Sequence, residues 1–345
     1  MRQTIITLAS LALLAGSAIA QPPATPTEQP ATTLNDRLTG NLVPTHDPVI
    51  IREGGTYHVF STGHGDRLIE TRTSPDLVHW TAGKPVFTAL PDWAKQAIPG
   101  SNGMWAPDIS YVNGRYRLYY SVSTFGSNRS AIGLATSPTL DPKAKNFGWR
   151  DDGLVLMSTR EDDYNAIDPN FIIDRDGRHW LSLGSFWTGI KLFELDAKTG
   201  KPKDPKAKPY SIARRPAPAG GPAPVEAPFI VDHGGYYWLM VSYDYCCKGV
   251  NSTYYTVIGR SKAITGPYLG KDGSPLMEGG GSIFLRADLQ EQQRFRGPGH
   301  AGWLHDKDGK DYVVYHAYDK QANGAPTLRI APVHWGADGW PVADY

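Results

Sequence analysis

The chain has 345 residues, enough to bury a substantial core in one large or two ordinary domains. Its 35 Lys and Arg stand against 34 Asp and Glu, a formal net charge of +1, which excludes the basic surplus of an electrostatic nucleic-acid binder. Ten Trp, eighteen Tyr and ten Phe favour strands and offer flat apolar faces of the kind that stack on sugar rings, although core packing is the commoner use of any single one.

Residues 1–20 have the pattern of an export signal: Arg2, an apolar run from Ile5 to Ala15, and Ala18-Ile19-Ala20 as a small-residue cleavage site. Cleavage near Ala20 predicts a secreted or periplasmic product beginning at about Gln21, and no later apolar segment is long enough to span a bilayer. Residues 21–37 are expected to form a disordered Pro/Thr-rich lead-in, and 38–345 the folded domain.

From Thr45 onward one phrase recurs: a polar or acidic residue beside proline, a short apolar strand, a glycine turn and an aromatic strand. It stands at Thr45–Phe60, Ala106–Tyr116, Asp168–Gly177 and Glu226–Gly235, with a weaker copy at His300–Gly309. Gly55, Gly114, Gly177, Gly235 and Gly309 occupy its turns, so the successive spacings are 59, 63, 58 and 74 residues. Each interval has room for about four short strands, the content of one propeller blade. Asn113-Gly114, Asp176-Gly177, Gly234-Gly235 and Asp308-Gly309 are hairpin-type dipeptides between apolar runs. Helical patterns are short, a turn or two at 92–97 and at 282–293. The expected fold is therefore all-β, a single five-bladed β-propeller; a large β-sandwich would leave the regular spacing unexplained.

In a propeller the repeat starts converge on the central channel, and three of them carry Asp47, Asp168 and Glu226 beside proline or one residue from it. A single aspartate before a strand is usually a turn-former. Three converging carboxylates are different, because like charges perturb one another and their cost implies a use. Asp108 also opens a repeat but follows its proline. The adjacent Cys246 and Cys247 are the only cysteines and have no metal-site spacing; bridging neighbours strains the backbone, so two free buried thiols compete with a vicinal disulfide.

Seven landmarks in order, His46-Asp47-Pro48, Met104–Asp108, Ala166–Pro169, Leu183–Trp187, Val225–Phe229, Tyr245–Gly249 and Gly297–His300, carry a resemblance from Thr45 to Trp340. There the chain resembles the endo-α-1,5-L-arabinanases of glycoside hydrolase family 43. The resemblance implies an inverting hydrolase in which Asp47 is the general base, Glu226 the general acid and Asp168 a third carboxylate that positions the acid and tunes its pKa. Inversion needs room for a water, so the Asp47 and Glu226 carboxyls are expected about 6.5–9.5 Å apart.

By the same resemblance Trp105 and Phe125 match sugar-stacking positions, and Ser185 and Asn165 match polar contacts at the cleavage site. His46 is expected to support the pocket wall. His300 matches the histidine that, with a shell of waters, holds a metal in the channel, often calcium; an isolated histidine is otherwise usually structural, and hard cations prefer oxygen. The expected partner is arabinan or its oligosaccharides, met by a monomer with no membrane or nucleic-acid partner and no organic cofactor. Exo-acting arabinanases and related furanosidases or β-xylosidases share the triad, and segments 92–103 and 198–224 are candidates for a loop that would block one end of the groove. A non-catalytic sugar-binding propeller is the reading from another class, and it usually accompanies loss of a catalytic carboxylate.

Overall fold

The innermost hairpins set the frame. Asn113-Gly114 (φ 52° and 79°) and Gly234-Gly235 (φ 60° and 77°) are two-residue turns with both residues in the left-handed region, the geometry whose twist matches the strands it joins. They bring Val112 opposite Arg115 and His233 opposite Tyr236. The computed structural model describes Met1 and residues 32–217, 223–287 and 293–345. Met1 apart, the expected export signal and the lead-in as far as residue 31 lie outside the described residues.

Five sheets follow in chain order, each forming one blade of a five-bladed β-propeller; only the two-residue strand Gly63–His64 leaves its own stretch of chain, pairing with Gly103–Met104 of the next blade. From channel outward, blade 1 is Val49–Glu53, Thr56–Ser61, Glu70–Ser74 and His79–Ala82, with the two-residue strand Thr39–Gly40 parallel to its edge. Blade 2 is Gly103–Val112, Arg115–Val122, Ser130–Ser137 and Arg150–Ser158; blade 3 is Asn170–Ile173, His179–Leu183, Ile190–Leu195 and Tyr210–Ala213. Blade 4 is Val225–His233, Tyr236–Tyr243, Tyr255–Ser261 and Ser282–Leu285, and blade 5 is Phe295–His305, Asp311–Asp319, Ala325–Trp335 and Pro341–Ala343. Aliphatic and aromatic residues of neighbouring blades interlock between the sheets, as where Val225, Ile230 and Leu239 of blade 4 meet Trp180, Ile190 and Leu192 of blade 3.

Two expectations are corrected. Ser282–Leu285 is a strand, the outer edge of blade 4, because Phe284 and Leu285 are buried there. Asp92–Ala97 is a short helix as expected. The lead-in does not run to residue 37: Thr33 accepts from the Asp36 amide and caps a one-turn helix, Leu34–Arg37.

That helix helps close the ring. Blades 1 and 5 share no strand. Instead Leu34 and Leu38 pack with Leu304, Val314, Leu328 and Ile330, and the Asn35 side chain accepts from the Ile330 amide at 2.8 Å. Arg52 and Tyr57 of blade 1 both bond Asp306 of blade 5. Thr33–Tyr345 forms one compact unit.

Every inner strand carries the same irregularity. Three steps along it stand against two on its neighbour: His46 to Val49 against Thr62 to Phe60, Trp105 to Asp108 against Ser121 to Tyr119, Ile167 to Asn170 against Gly184 to Ser182, Glu226 to Phe229 against Ser242 to Met240, and Gly299 to Gly302 against His316 to Val314. The residue inside each bulge is left-handed: Asp47, Ala106, Asp168, Ala227 and His300, with φ between 44° and 59°. A non-glycine residue there costs about 1–3 kcal/mol, and the first four also precede proline, which disfavours the conformation further. Such strain persists only where neighbouring contacts hold it.

Asp108, the repeat residue that follows its proline, is buried inside the ring. It accepts from the Phe171 amide at 2.8 Å and from Asn170 Nδ2 at 3.3 Å, and Asn170 in turn accepts from the Ile230 amide, linking blades 2, 3 and 4. Burial, only partly offset by those hydrogen bonds, pushes its carboxyl up to about 7. A raised carboxyl stabilises the fold fully below its unfolded value near 3.8 and loses that contribution as pH rises through about 7. The difference of about three units corresponds to about 4 kcal/mol. Asp108→Asn is therefore expected to lose less stability than wild type between pH 4 and pH 8, by up to that amount, in denaturant titrations at the two pH values.

Candidate active site

The five strained residues are each held by a side chain reaching across from the preceding blade. Thr62 Oγ1 accepts from the Ala106 amide (2.9 Å), Ser121 Oγ from Asp168 (3.0 Å), Ser242 Oγ from His300 (2.9 Å) and His316 Nδ1 from Asp47 (3.2 Å). These four occupy one equivalent position, the residue opposite the start of each bulge. In blade 3 that position is Gly184, which has no side chain to offer; with φ 136°, a Cβ there would meet the Gly189 carbonyl oxygen at 2.7 Å. The clamp on Ala227 is supplied instead by the Asp168 carboxylate, whose Oδ2 accepts from the Ala227 amide at 3.1 Å. One carboxylate of the cluster thus fixes the backbone next to another.

This register corrects the equivalence read from the repeats. Asp47, Ala106, Asp168, Ala227 and His300 are the matching residues; Glu226 stands one residue earlier, level with His46, Trp105, Ile167 and Gly299. Glu226 nevertheless reaches the same pocket, because Asp47, Asp168 and His300 all perturb its titration.

Asp47 is buried and crowded by donors. Its Oδ1 lies 2.8 Å from His46 Nδ1 and 3.0 Å from His300 Nδ1, and its Oδ2 accepts from Thr62 Oγ1 at 2.6 Å. Burial alone would raise the carboxyl, but the two imidazoles outweigh it and hold Asp47 well below the usual carboxylate range. Glu226 goes the other way: burial raises it, and hydrogen bonds from Ser185 (Oγ to Oε2, 2.7 Å) and Tyr254 only partly oppose the shift. Asp168 is raised well above its ordinary value by burial and by the Glu226 and Asp47 charges, against the opposing charge of His300. Burial disfavours the cationic form of His300, yet the Asp47, Asp168 and Glu226 carboxylates push it up to about 9.

Of the residues expected at the site, Asp47, Asp168, Glu226, His300, His46 and Ser185 come together. Ser185 lies against Glu226, its hydroxyl donating to Oε2. Asn165 is buried, with its Oδ1 accepting from Ser130 Oγ at 2.6 Å. Trp105 is half-buried in the bulge of blade 2, while Phe125 is 87% exposed on the turn that follows Arg115–Val122. Of the two candidate blocking segments, Lys198 lies at the opposite end of the blades from the bulges, its carbonyl and that of Ala197 accepting from Arg117 beside the Asn113-Gly114 turn.

His316, Tyr254 and Tyr318 were not anticipated. The buried His316 ring is stacked on His46 with centroids 4.0 Å apart and lies 5.9 Å from Tyr254; burial keeps it neutral, well below its ordinary pKa. Its sequence signal is register: Tyr315-His316 falls where Tyr120-Ser121 and Val241-Ser242 fall in their blades. Tyr318 OH lies 2.9 Å from His46 Nε2 and accepts from the Cys247 amide at 2.8 Å. The two cysteines form a vicinal disulfide with Cys247 exposed, so the alternative of two buried thiols is not what the structure holds.

A five-bladed propeller that gathers three buried carboxyls in one pocket, one held low and two raised by burial, has the pattern of a glycosidase-type site. Residues 43–341 match Glycosyl hydrolases family 43, and the chain belongs to that family. It is 46% identical over 303 residues to "Extracellular endo-alpha-(1->5)-L-arabinanase 1" of Bacillus subtilis, covering 86% of each chain. It is 43% identical over 310 residues to "Extracellular exo-alpha-(1->5)-L-arabinofuranosidase ArbA" of Cellvibrio japonicus, covering 88% of this chain and 87% of the other. Among solved structures, the GH43 endo-arabinanase from Bacillus licheniformis superposes with a TM-score of 0.80 at 47% identity, over 88% of this chain and 99% of the other.

Proposed function

We propose that this pocket hydrolyses internal α-1,5-L-arabinofuranosidic bonds of arabinan with inversion, Asp47 serving as general base, Glu226 as general acid and Asp168 as the carboxylate that positions and tunes the acid. The observation that carries the assignment is the unlike surroundings of two buried carboxyls in one pocket: Asp47 meets two imidazoles and the Thr62 hydroxyl, which hold it low, while Glu226 is met by hydroxyls and pushed up by burial. Asp47 takes the proton of a water as that water attacks the anomeric carbon, while Glu226 gives its proton to the departing glycosidic oxygen. Ser185 donates to Glu226 Oε2, which leaves the other oxygen to carry the transferable proton. His46 and Thr62 hold Asp47 in place, and Asp168, through the Ala227 amide, holds the backbone beside the acid. Export follows as part of the proposal, supported by residues 1–20 and by the word "Extracellular" in both relatives' names.

A channel cation, calcium or another ion, belongs to the same proposal. His300 presents Nδ1 to Asp47, the second-sphere carboxylate contact that orients a metal-ligating histidine and leaves Nε2 to the ion. Among the described residues no group of three ligating side chains includes His300, so the residues fit a one-histidine site completed by water. When bound, such an ion supplies positive charge beside the carboxylates.

The test is the size distribution of early products from linear arabinan, run with untreated enzyme and after exhaustive chelation. A spread of oligomers from the first minutes is the expected result; a single short product from the outset would make the enzyme exo-acting, and binding without any product would leave a sugar-binding propeller. Chelation is expected to lower the rate and added calcium to restore it, and an unchanged rate removes the ion from the proposal.

A further inference from the structure

The vicinal cysteines stand at the end of a short relay into the pocket. The Cys247 amide donates to Tyr318 OH, Tyr318 OH meets His46 Nε2, and His46 Nδ1 meets Asp47, in three contacts of 2.8, 2.9 and 2.8 Å. Cys247 Sγ itself lies 3.7 Å from His46 Nε2. A ring nitrogen of His46 and the sulfurs of Cys246 and Cys247 all fall within 4.8 Å of one another. With Nδ1 facing Asp47, Nε2 is the His46 nitrogen turned toward Tyr318 OH and the sulfur of Cys247.

We propose that, in its dithiol form, the protein holds a thiophilic divalent cation such as zinc or cadmium between Cys246 Sγ, Cys247 Sγ and His46 Nε2, and that this cation silences the base. Two thiolates and one imidazole are the donor set that soft and borderline cations select, with a fourth tetrahedral position left to water. The contact from Asp47 to His46 Nδ1 already supplies the carboxylate that orients a ligating imidazole. Reduction consumes two electrons and two protons, splitting the S–S bond into two thiols; a water-soluble phosphine supplies the electrons and becomes its oxide. Cation binding then releases the two thiol protons. Because the bond joins adjacent residues it closes no loop between blades, so its reduction leaves the propeller's cross-links intact.

The effect on chemistry follows from charge. A cation on Nε2 displaces Tyr318 and makes the imidazole a stronger donor toward Asp47, whose carboxylate is then a poorer acceptor for the water proton. Exposure of Cys247 gives reductant and cation a route in. The inference rests on the hydrolase assignment only for its effect on rate, since cation uptake is read separately.

The experiment uses the full chain, disulfide-bonded and phosphine-reduced, titrated with cadmium chloride. Reduced protein is expected to take up one cadmium per chain with a thiolate-to-cadmium charge-transfer band and to lose at least about 10-fold of its activity on linear arabinan; a small dithiol that takes cadmium but not calcium restores it. Disulfide-bonded protein, and reduced Cys246→Ser and Cys247→Ser proteins, are expected to show neither the band nor the cadmium-dependent loss, each judged against its own rate without cadmium. Absence of the band in reduced wild type, uptake with no change in rate, or equal inhibition of the disulfide-bonded or serine proteins overturns the proposal. A protein inactive in every state would sink the hydrolase assignment while the band still decides the site.

Discussion

Asp47→Asn is expected to lower the turnover of linear arabinan by about 10⁴-fold, the upper end of what a positioned general base contributes. Asparagine fills the same volume and leaves the amide clamp from His316 untouched, so the fold has no reason to change. What disappears is the acceptor for the water proton, and with it the main partner of His300. Without that carboxylate the His300 pKa falls from about 9, although Asp168 and Glu226 still act on it. In wild type, activity requires Asp47 ionised. It is therefore expected to persist as pH falls through the ordinary carboxylate range and to fail only below it. Initial rates from pH 3 upward check this; an acid limb at or above the ordinary aspartate value, or a variant within 10-fold of wild type, would remove Asp47 from the role.

Glu226→Gln is the counterpart. The expected loss on arabinan is about 10³-fold or more, because an alkoxide leaving group needs its proton. The loss should shrink sharply on an arabino-oligosaccharide carrying 4-nitrophenolate, which leaves without one. Glutamine keeps an oxygen for the Ser185 hydroxyl, so positioning survives and protonation alone is removed. In wild type the alkaline limb is the loss of that proton as pH rises through the raised Glu226 pKa, and the variant should lack the limb. Equal losses on both substrates would mean that Glu226 holds the sugar rather than protonating the leaving oxygen.

Much of the scaffold could be read from punctuation. Glycine turns and aromatic strands recur because each blade needs the same tight hairpin beside the channel, and those needs are local. The carboxylates were legible for a related reason, since they sit where four of the five blades place proline. Aligning the chain on Pro48, Pro107, Pro169 and Pro228 would also have shown that Glu226 falls one place before Asp47 and Asp168. The clamps were not legible. They join residues 44 to 269 positions apart and depend on which face of a strand a side chain takes, a matter settled by packing between blades. Ser185 was placed at the site, but its partner was not legible for the same cause: nothing local says that its hydroxyl points across to Glu226. The fate of Cys246 and Cys247 likewise turned on the backbone between them.

The clamp from His316 to Asp47 reverses the order in which the site becomes competent. Asp47 is made early and its amide partner 269 residues later. At about 5–20 residues per second, the base waits some tens of seconds for its support during synthesis. Until blade 5 docks against blade 1, the strained conformation at Asp47 lacks its amide clamp, whatever the state of Asp168 and Glu226. Full-length synthesis is thus built into the chemistry: a chain cut short before His316 can carry all three carboxylates and still have no armed base.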